Sequence, residues 1–90
     1  MSSVNVKLTP QREYLILSHL PQVRSIAVRA IQRCPPAGTL DDLVSAGTVG
    51  LIQAVDRYDP ERRVQLKTLA EHRIRGAILD YLRSLDPLSY

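Results

Sequence analysis

Tryptophan and phenylalanine are absent from this 90-residue chain, and only four tyrosines supply aromatic rings. A core must therefore come mainly from Leu, Ile, Val and Ala, which suits packed helices. There is one cysteine, Cys34, so an internal disulfide is excluded. It reads as a reduced, cytosolic thiol that is either exposed or a buried small apolar residue, with burial favoured. No apolar run approaches the roughly 20 residues needed to cross a membrane. Met1 to Thr9 has no apolar stretch of the kind that marks a secretory signal. A soluble, cytoplasmic protein is the expectation. Length allows one small domain, and a chain this short buries only about two thirds of its unfolded surface. Net charge is +3 with a pI near 9.4, a mild basic bias compatible with nucleic acid without establishing it.

What is present reads as helix. Residues 1–8 form a loose arm, and the domain occupies 9–90. Thr9-Pro10 is a helix start, with Thr9 as N-cap and Pro10 where its missing N–H is not needed. Leu20, Val23, Ala27, Ala30 and Ile31 recur at helical spacing, with Arg24, Arg29 and Arg33 facing outward. Pro21 inside this stretch predicts either a kink or a short helix followed by a new one. Cys34-Pro35-Pro36-Ala37-Gly38 ends the element. Thr39 caps the next helix, and Asp41 and Asp42 sit in its first turn, where the helix dipole favours negative charge. Leu43, Ala46, Gly47, Gly50, Leu51, Ala54 and Val55 then share one face. Its two glycines each cost about 1 kcal/mol relative to Ala, tolerable if another helix packs closely over that face. After a loop over 58–63, Thr68 and Glu71 fit a capping box. Ile74, Ala77, Ile78, Tyr81, Leu82 and Leu85 make the last stripe, and Asp86-Pro87 stops it. No segment alternates with period two. The fold class is all-α, a small three- to four-helix bundle.

Catalysis has little to stand on. His19 and His72 lie in different helices without cysteine partners at zinc-ligand spacing, and Cys34 with His19 is a weak nucleophile pair. Gly47 and Gly50 lie inside a helix with no strand before them, so they do not cradle phosphate. No cofactor or metal is expected, and no enzyme. What remains is surface: Arg57, Arg62, Arg63, Lys67, Arg73, Arg75 and Arg83 stand against four acids in the same stretch. Such a face is either a solvated helix surface or a set of phosphate contacts.

The stretch from Asp41 to Arg62, DDLVSAGTVGLIQAVDRYDPER, closely resembles the signature of region 2 in the sigma-70 family of bacterial transcription initiation factors. The stretch from Ala70 to Ser84, AEHRIRGAILDYLRS, resembles the flagellar, sporulation and general-stress branch of that family. The match is continuous over roughly residues 39–86 and looser from Tyr14 to Arg33. The resemblance implies a helical domain that binds core RNA polymerase and recognises and melts the −10 promoter element. By position, Asp42, Ser45, Ala46, Thr48 and Ile52 are the candidates for docking on the coiled coil of the polymerase β′ subunit. Ser45 and Ala46 replace longer polar or acidic side chains, which implies weaker contacts there.

For promoter DNA the implied contacts are Arg62, Lys67, Thr68, His72, Arg73 and Arg75, with Gly76 and Leu79 at the −10-reading positions. Here the chain departs from its relatives. Leu66 and Leu69 stand where Phe and Tyr are common, and His72 and Arg73 where the housekeeping branch has two tryptophans, although Arg73 is usual for the alternative branch. Arg63 replaces a common loop glycine. A flipped base stacks on an aromatic face for about 1–3 kcal/mol. Leucine wedges into a base step but stacks poorly, which counts against efficient melting. Leu69 is otherwise a core residue. The family's −35-reading domain has no counterpart in this sequence, which reads either as a piece of a longer factor, the favoured alternative, or as a truncated, degenerate protein. The rival reading is a degenerate, sigma-like interaction module that binds polymerase or an anti-sigma factor without melting DNA.

Overall fold

The computed structural model describes residues 9–33 and 39–85, so the loose arm, the burial of Cys34 and the Asp86-Pro87 stop lie outside the described residues. Four helices follow one another: α1 (Pro10–Ser18), α2 (Leu20–Arg33), α3 (Leu40–Arg57) and α4 (Leu66–Leu85). No strand occurs among the described residues. No described helix is long and apolar enough to cross a membrane.

Local chemistry sets most of the boundaries. The Thr9 hydroxyl accepts from the Arg12 N–H at 3.2 Å, and Pro10 opens α1. His19 separates α1 from α2, so the second of the two outcomes expected around Pro21 is the one observed. Pro21 is the second residue of α2, where no intrahelical N–H bond is lost. The His19 Nδ1 lies 2.8 Å from the Leu15 carbonyl, an acceptor only, so that nitrogen carries the proton and caps the end of α1. Thr39 and Asp42 form a reciprocal capping box at the start of α3.

Two expectations need correction. The last helix begins at Leu66, not Thr68, and the Leu69 N–H bonds back to the Gln65 carbonyl. The reason is burial: Leu66 is the first member of a four-residue repeat, Leu66, Ala70, Ile74 and Ile78, that enters the core. Starting the helix one turn earlier removes Leu66 from water. Glu71 consequently does not cap. Its carboxylate meets Arg75 at 2.8 Å instead. At the other end Leu85, expected in the stripe, is exposed, one turn and more past the last buried residue, Ile78.

The core gathers Val23, Ile26 and Ala27 of α2, Leu43, Leu51, Ala54 and Val55 of α3, and the α4 repeat. All are aliphatic. Burying a Leu, Ile or Val side chain fully contributes about 1.5–3 kcal/mol, so a ring-free core is sufficient for a domain of this size. The centre of the bundle is the seam between α3 and α4, where both α3 glycines are buried. A Cβ on Gly50 would come within 2.8 Å of the Arg73 carbonyl carbon and closer still to its oxygen. One on Gly47 would meet the side-chain ends of Val23, Ile74 and Ile78 at 3.0–3.2 Å. Gly76 on α4 has open space where its Cβ would be.

These three environments separate in a denaturation series. Gly50→Ala pushes against backbone and should lose about 1–3 kcal/mol despite the better helix propensity of Ala. Gly47→Ala meets side chains at 3.0–3.2 Å and no backbone, so its loss should be smaller. Gly76→Ala should gain about 1 kcal/mol, the propensity difference alone. Urea unfolding of the three variants gives the order, and Gly50→Ala equal to Gly76→Ala would contradict the seam.

Candidate nucleic-acid and polymerase interface

The side chains singled out from sequence are carried by α3, α4 and the loop between them. That loop turns on Asp59, whose side chain accepts from the Glu61 N–H at 3.0 Å and whose carbonyl accepts from the Arg62 N–H. The Arg62 guanidinium stands 3.9 Å from the Asp59 carboxylate and is almost fully exposed. Lys67 and Thr68 are exposed in the first turn of α4.

Beyond them α4 divides. Leu69, His72, Arg73 and Gly76 line a shallow groove of about 670 Å³ between α4 and α3, closed on the α3 side by Ala46, Val49 and Gln53. Among the described residues Arg73 has no ion pair, and its carbonyl is the atom pressed against Gly50. The glycine seam thus fixes the backbone that carries this cation. His72 is exposed and Leu69 half-buried against the core. Leu66, by contrast, is 93% buried, judged from its 7% exposure, and offers no wedge at the surface.

Arg75 and Leu79 belong to the other flank of α4, facing α2. The Arg75 guanidinium pairs with the Glu71 carboxylate at 2.8 Å, which also lies 3.8 Å from Arg29 and accepts from the Gln22 side-chain amide at 3.4 Å. Gln22 donates to the Lys67 carbonyl at 3.0 Å as well, stapling α2 to the first turn of α4. Its Oε1 is buried with no hydrogen-bond partner among the described residues. The eight implied DNA residues therefore do not form one patch: His72, Arg73 and Gly76 share the α3-side groove, while Arg75 and Leu79 line the opposite flank.

The docking candidates divide similarly. Asp42 and Ser45 are exposed, and Ile52 is half-buried. Asp42 is committed locally, its carboxylate accepting from the Thr39 N–H at 3.3 Å. It also faces α4, where burial first, and then the Asp42 charge, push the Tyr81 phenol above its ordinary value. The Thr48 hydroxyl is spent on the Val44 carbonyl at 2.7 Å. Ala46 lines the groove with α4 rather than the outer face. Sequence reasoning missed Val49, 54% exposed on α3, and Gln53 beside it in the groove. The available signal was Val49 itself, a large apolar side chain off the buried stripe.

Comparison with known proteins shows the family. Residues 15–87 match the family described as sigma-70 region 2. The chain belongs to that family. The RNA polymerase sigma factor FliA of Salmonella typhimurium is 50% identical over 68 residues, covering 76% of this chain and 28% of the relative. The RNA polymerase sigma-F factor of Kitasatospora aureofaciens is 46% identical over 72 residues, covering 80% of this chain and 23% of the relative. Among solved structures, a chain of a Sigma-28(FliA)/FlgM complex superposes with a TM-score of 0.77 at 45% identity, over 84% of this chain and 33% of that chain. This region 2 thus spans a third or less of the relatives it matches, and the all-α bundle and the flagellar-type branch read from sequence both hold.

Glu71 holds the guanidinium of Arg75, a residue the resemblance places among the DNA contacts, at 2.8 Å. Glu71→Gln should release Arg75 while keeping an acceptor for Gln22. Stability should change little, because exposed ion pairs contribute about 0–1 kcal/mol. Binding of single-stranded −10 DNA should tighten, with log K falling about 0.7 more steeply against log salt for one added phosphate contact. An unchanged salt slope would mean that Arg75 does not reach DNA.

Proposed function

We propose that this chain is the part of a bacterial transcription initiation factor that docks on the β′ coiled coil of core RNA polymerase and recognises the −10 promoter element. It acts in the cytoplasm, by binding and not by catalysis. The reading is carried by one observation: the groove that holds Leu69, His72, Arg73 and Gly76 lies against α3, next to the exposed Asp42–Ser45 end. A displaced strand laid in that groove would meet Arg73 through phosphate and His72 through a base face, while Arg62, Lys67 and Thr68 would hold the backbone upstream or downstream of it. Docking would use Asp42, Ser45, Thr48 and Ile52, with Ala46 at the boundary between the two surfaces.

A second reading has a specific support. Leu66 is buried and, among the described residues, His72 is the one ring lining the groove, so strand capture has one stacking face there to work with. A sigma-like module that binds polymerase or an anti-sigma factor without melting DNA would look the same. Salt-dependent binding of a −10 single strand that is lost in Arg73→Ala would decide for the first reading.

For polymerase docking, Asp42→Ala alone is ambiguous, because it also removes half of a capping box worth about 0.5–2 kcal/mol. Thr39→Ala removes the other half without touching the docking face. Binding to a β′ coiled-coil fragment should weaken at least about tenfold, or 1.4 kcal/mol, in Asp42→Ala and stay near wild type in folded Thr39→Ala. Equal losses would reduce Asp42 to a helix cap.

A further inference from the structure

The flank of α4 that faces α2 carries Arg75 and Leu79 and lies apart from the α3-side groove of the function proposed above. Ile26 and Ala30 of α2 and Ile78 and Leu82 of α4 floor a small pocket there, of about 160 Å³. Leu79 stands at its edge, 48% exposed despite its size. Three guanidinium groups complete the rim: Arg29 and Arg33 from α2 and Arg75 from α4. We propose that this pocket docks an acidic amphipathic helix of a protein partner. One large apolar side chain of that helix fills the pocket, and flanking carboxylates pair with the arginines.

Charge complementarity selects this occupant. The rim already holds one carboxylate, that of Glu71, shared between Arg75 at 2.8 Å and Arg29 at 3.8 Å. Arg33 has no ion pair among the described residues. Three cations against one acid leave the rim positive, so further carboxylates are favoured and lysines are repelled. The floor is aliphatic and holds no ring, so it gives a nucleic-acid base neither a stacking face nor a partner for its polar edges, and it suits an aliphatic or aromatic protein side chain. An amphipathic helix meets both demands at once, since positions three and four apart present an apolar anchor between two acids. The same partner would draw Arg75 and Arg29 away from Glu71.

The test is an amide-shift titration of the isotope-labelled chain with three probes. They are a synthetic helical peptide with a leucine ridge flanked by glutamates, the same peptide with lysines for glutamates, and a short single-stranded DNA. Expected is saturable binding of the glutamate peptide, with shifts confined to 26–33 and 75–82 and affinity falling as salt is raised. Arg33→Glu, a change at an exposed residue at the end of α2, should weaken it at least about tenfold. Ala30→Trp, which fills the pocket, should abolish it, and if that variant unfolds Arg33→Glu still decides. Equal binding of the lysine peptide, no binding of the glutamate peptide, or indifference to Arg33→Glu would each overturn the proposal. Shifts at 26–33 produced by DNA in place of the peptide would reassign the pocket to nucleic acid.

Discussion

At Gly50 the backbone of α3 runs so close to the Arg73 carbonyl of α4 that only hydrogen fits between them. The packing of α3 against α4 depends on that approach. It brings the two longest helices together along a seam in which Leu43, Leu51, Ile74 and Ile78 are almost completely buried. It also fixes the backbone of Arg73, the cation placed at the head of the α3-side groove. The helix-propensity cost of two mid-helix glycines, about 1 kcal/mol each, is offset by the packing they permit.

From this seam α4 presents two different flanks. Toward α3 it offers a shallow groove lined by the exposed His72, by Asp80 and by Arg73, which has no ion pair among the described residues. Toward α2 it offers a smaller aliphatic pocket whose arginines are partly neutralised by Glu71. Gln22, which donates to both Glu71 and the Lys67 carbonyl, ties α2 to the start of α4. Arg12 and Asp56, 2.6 Å apart, tie α1 to the end of α3 in the same way. These polar links lie at the periphery, and among the described residues no polar or charged residue is buried.

Much of this was legible in the sequence. The caps at Thr9 and Thr39 and the seven-residue face of α3 follow from short-range rules, and six of those seven residues are buried. The start of α4 was not legible, because Thr68 and Glu71 satisfy a local motif while the burial of Leu66 is a tertiary effect that overrides it. Leu85 failed for the converse reason: its spacing is helical, but it lies past the end of the buried repeat. For the site, the family motif supplied the residues but not their grouping. Spacing alone did not reveal that Arg75 is held by Glu71, or that Leu79 lines the opposite flank from Arg73. Thr48 and Asp42, named for docking, also have local hydrogen-bond duties that a motif cannot express.

In the function we propose, one seam sets two separate working surfaces side by side, one for polymerase on α3 and one for the −10 strand between α3 and α4. The most direct measurement is fluorescence anisotropy of a labelled −10 non-template strand titrated with this chain, alone and with the β′ coiled-coil fragment saturating. The account predicts that strand binding persists or tightens when the fragment is present, with a larger complex forming. Release of the strand as the fragment binds would show that the two ligands compete for one surface, and would contradict it.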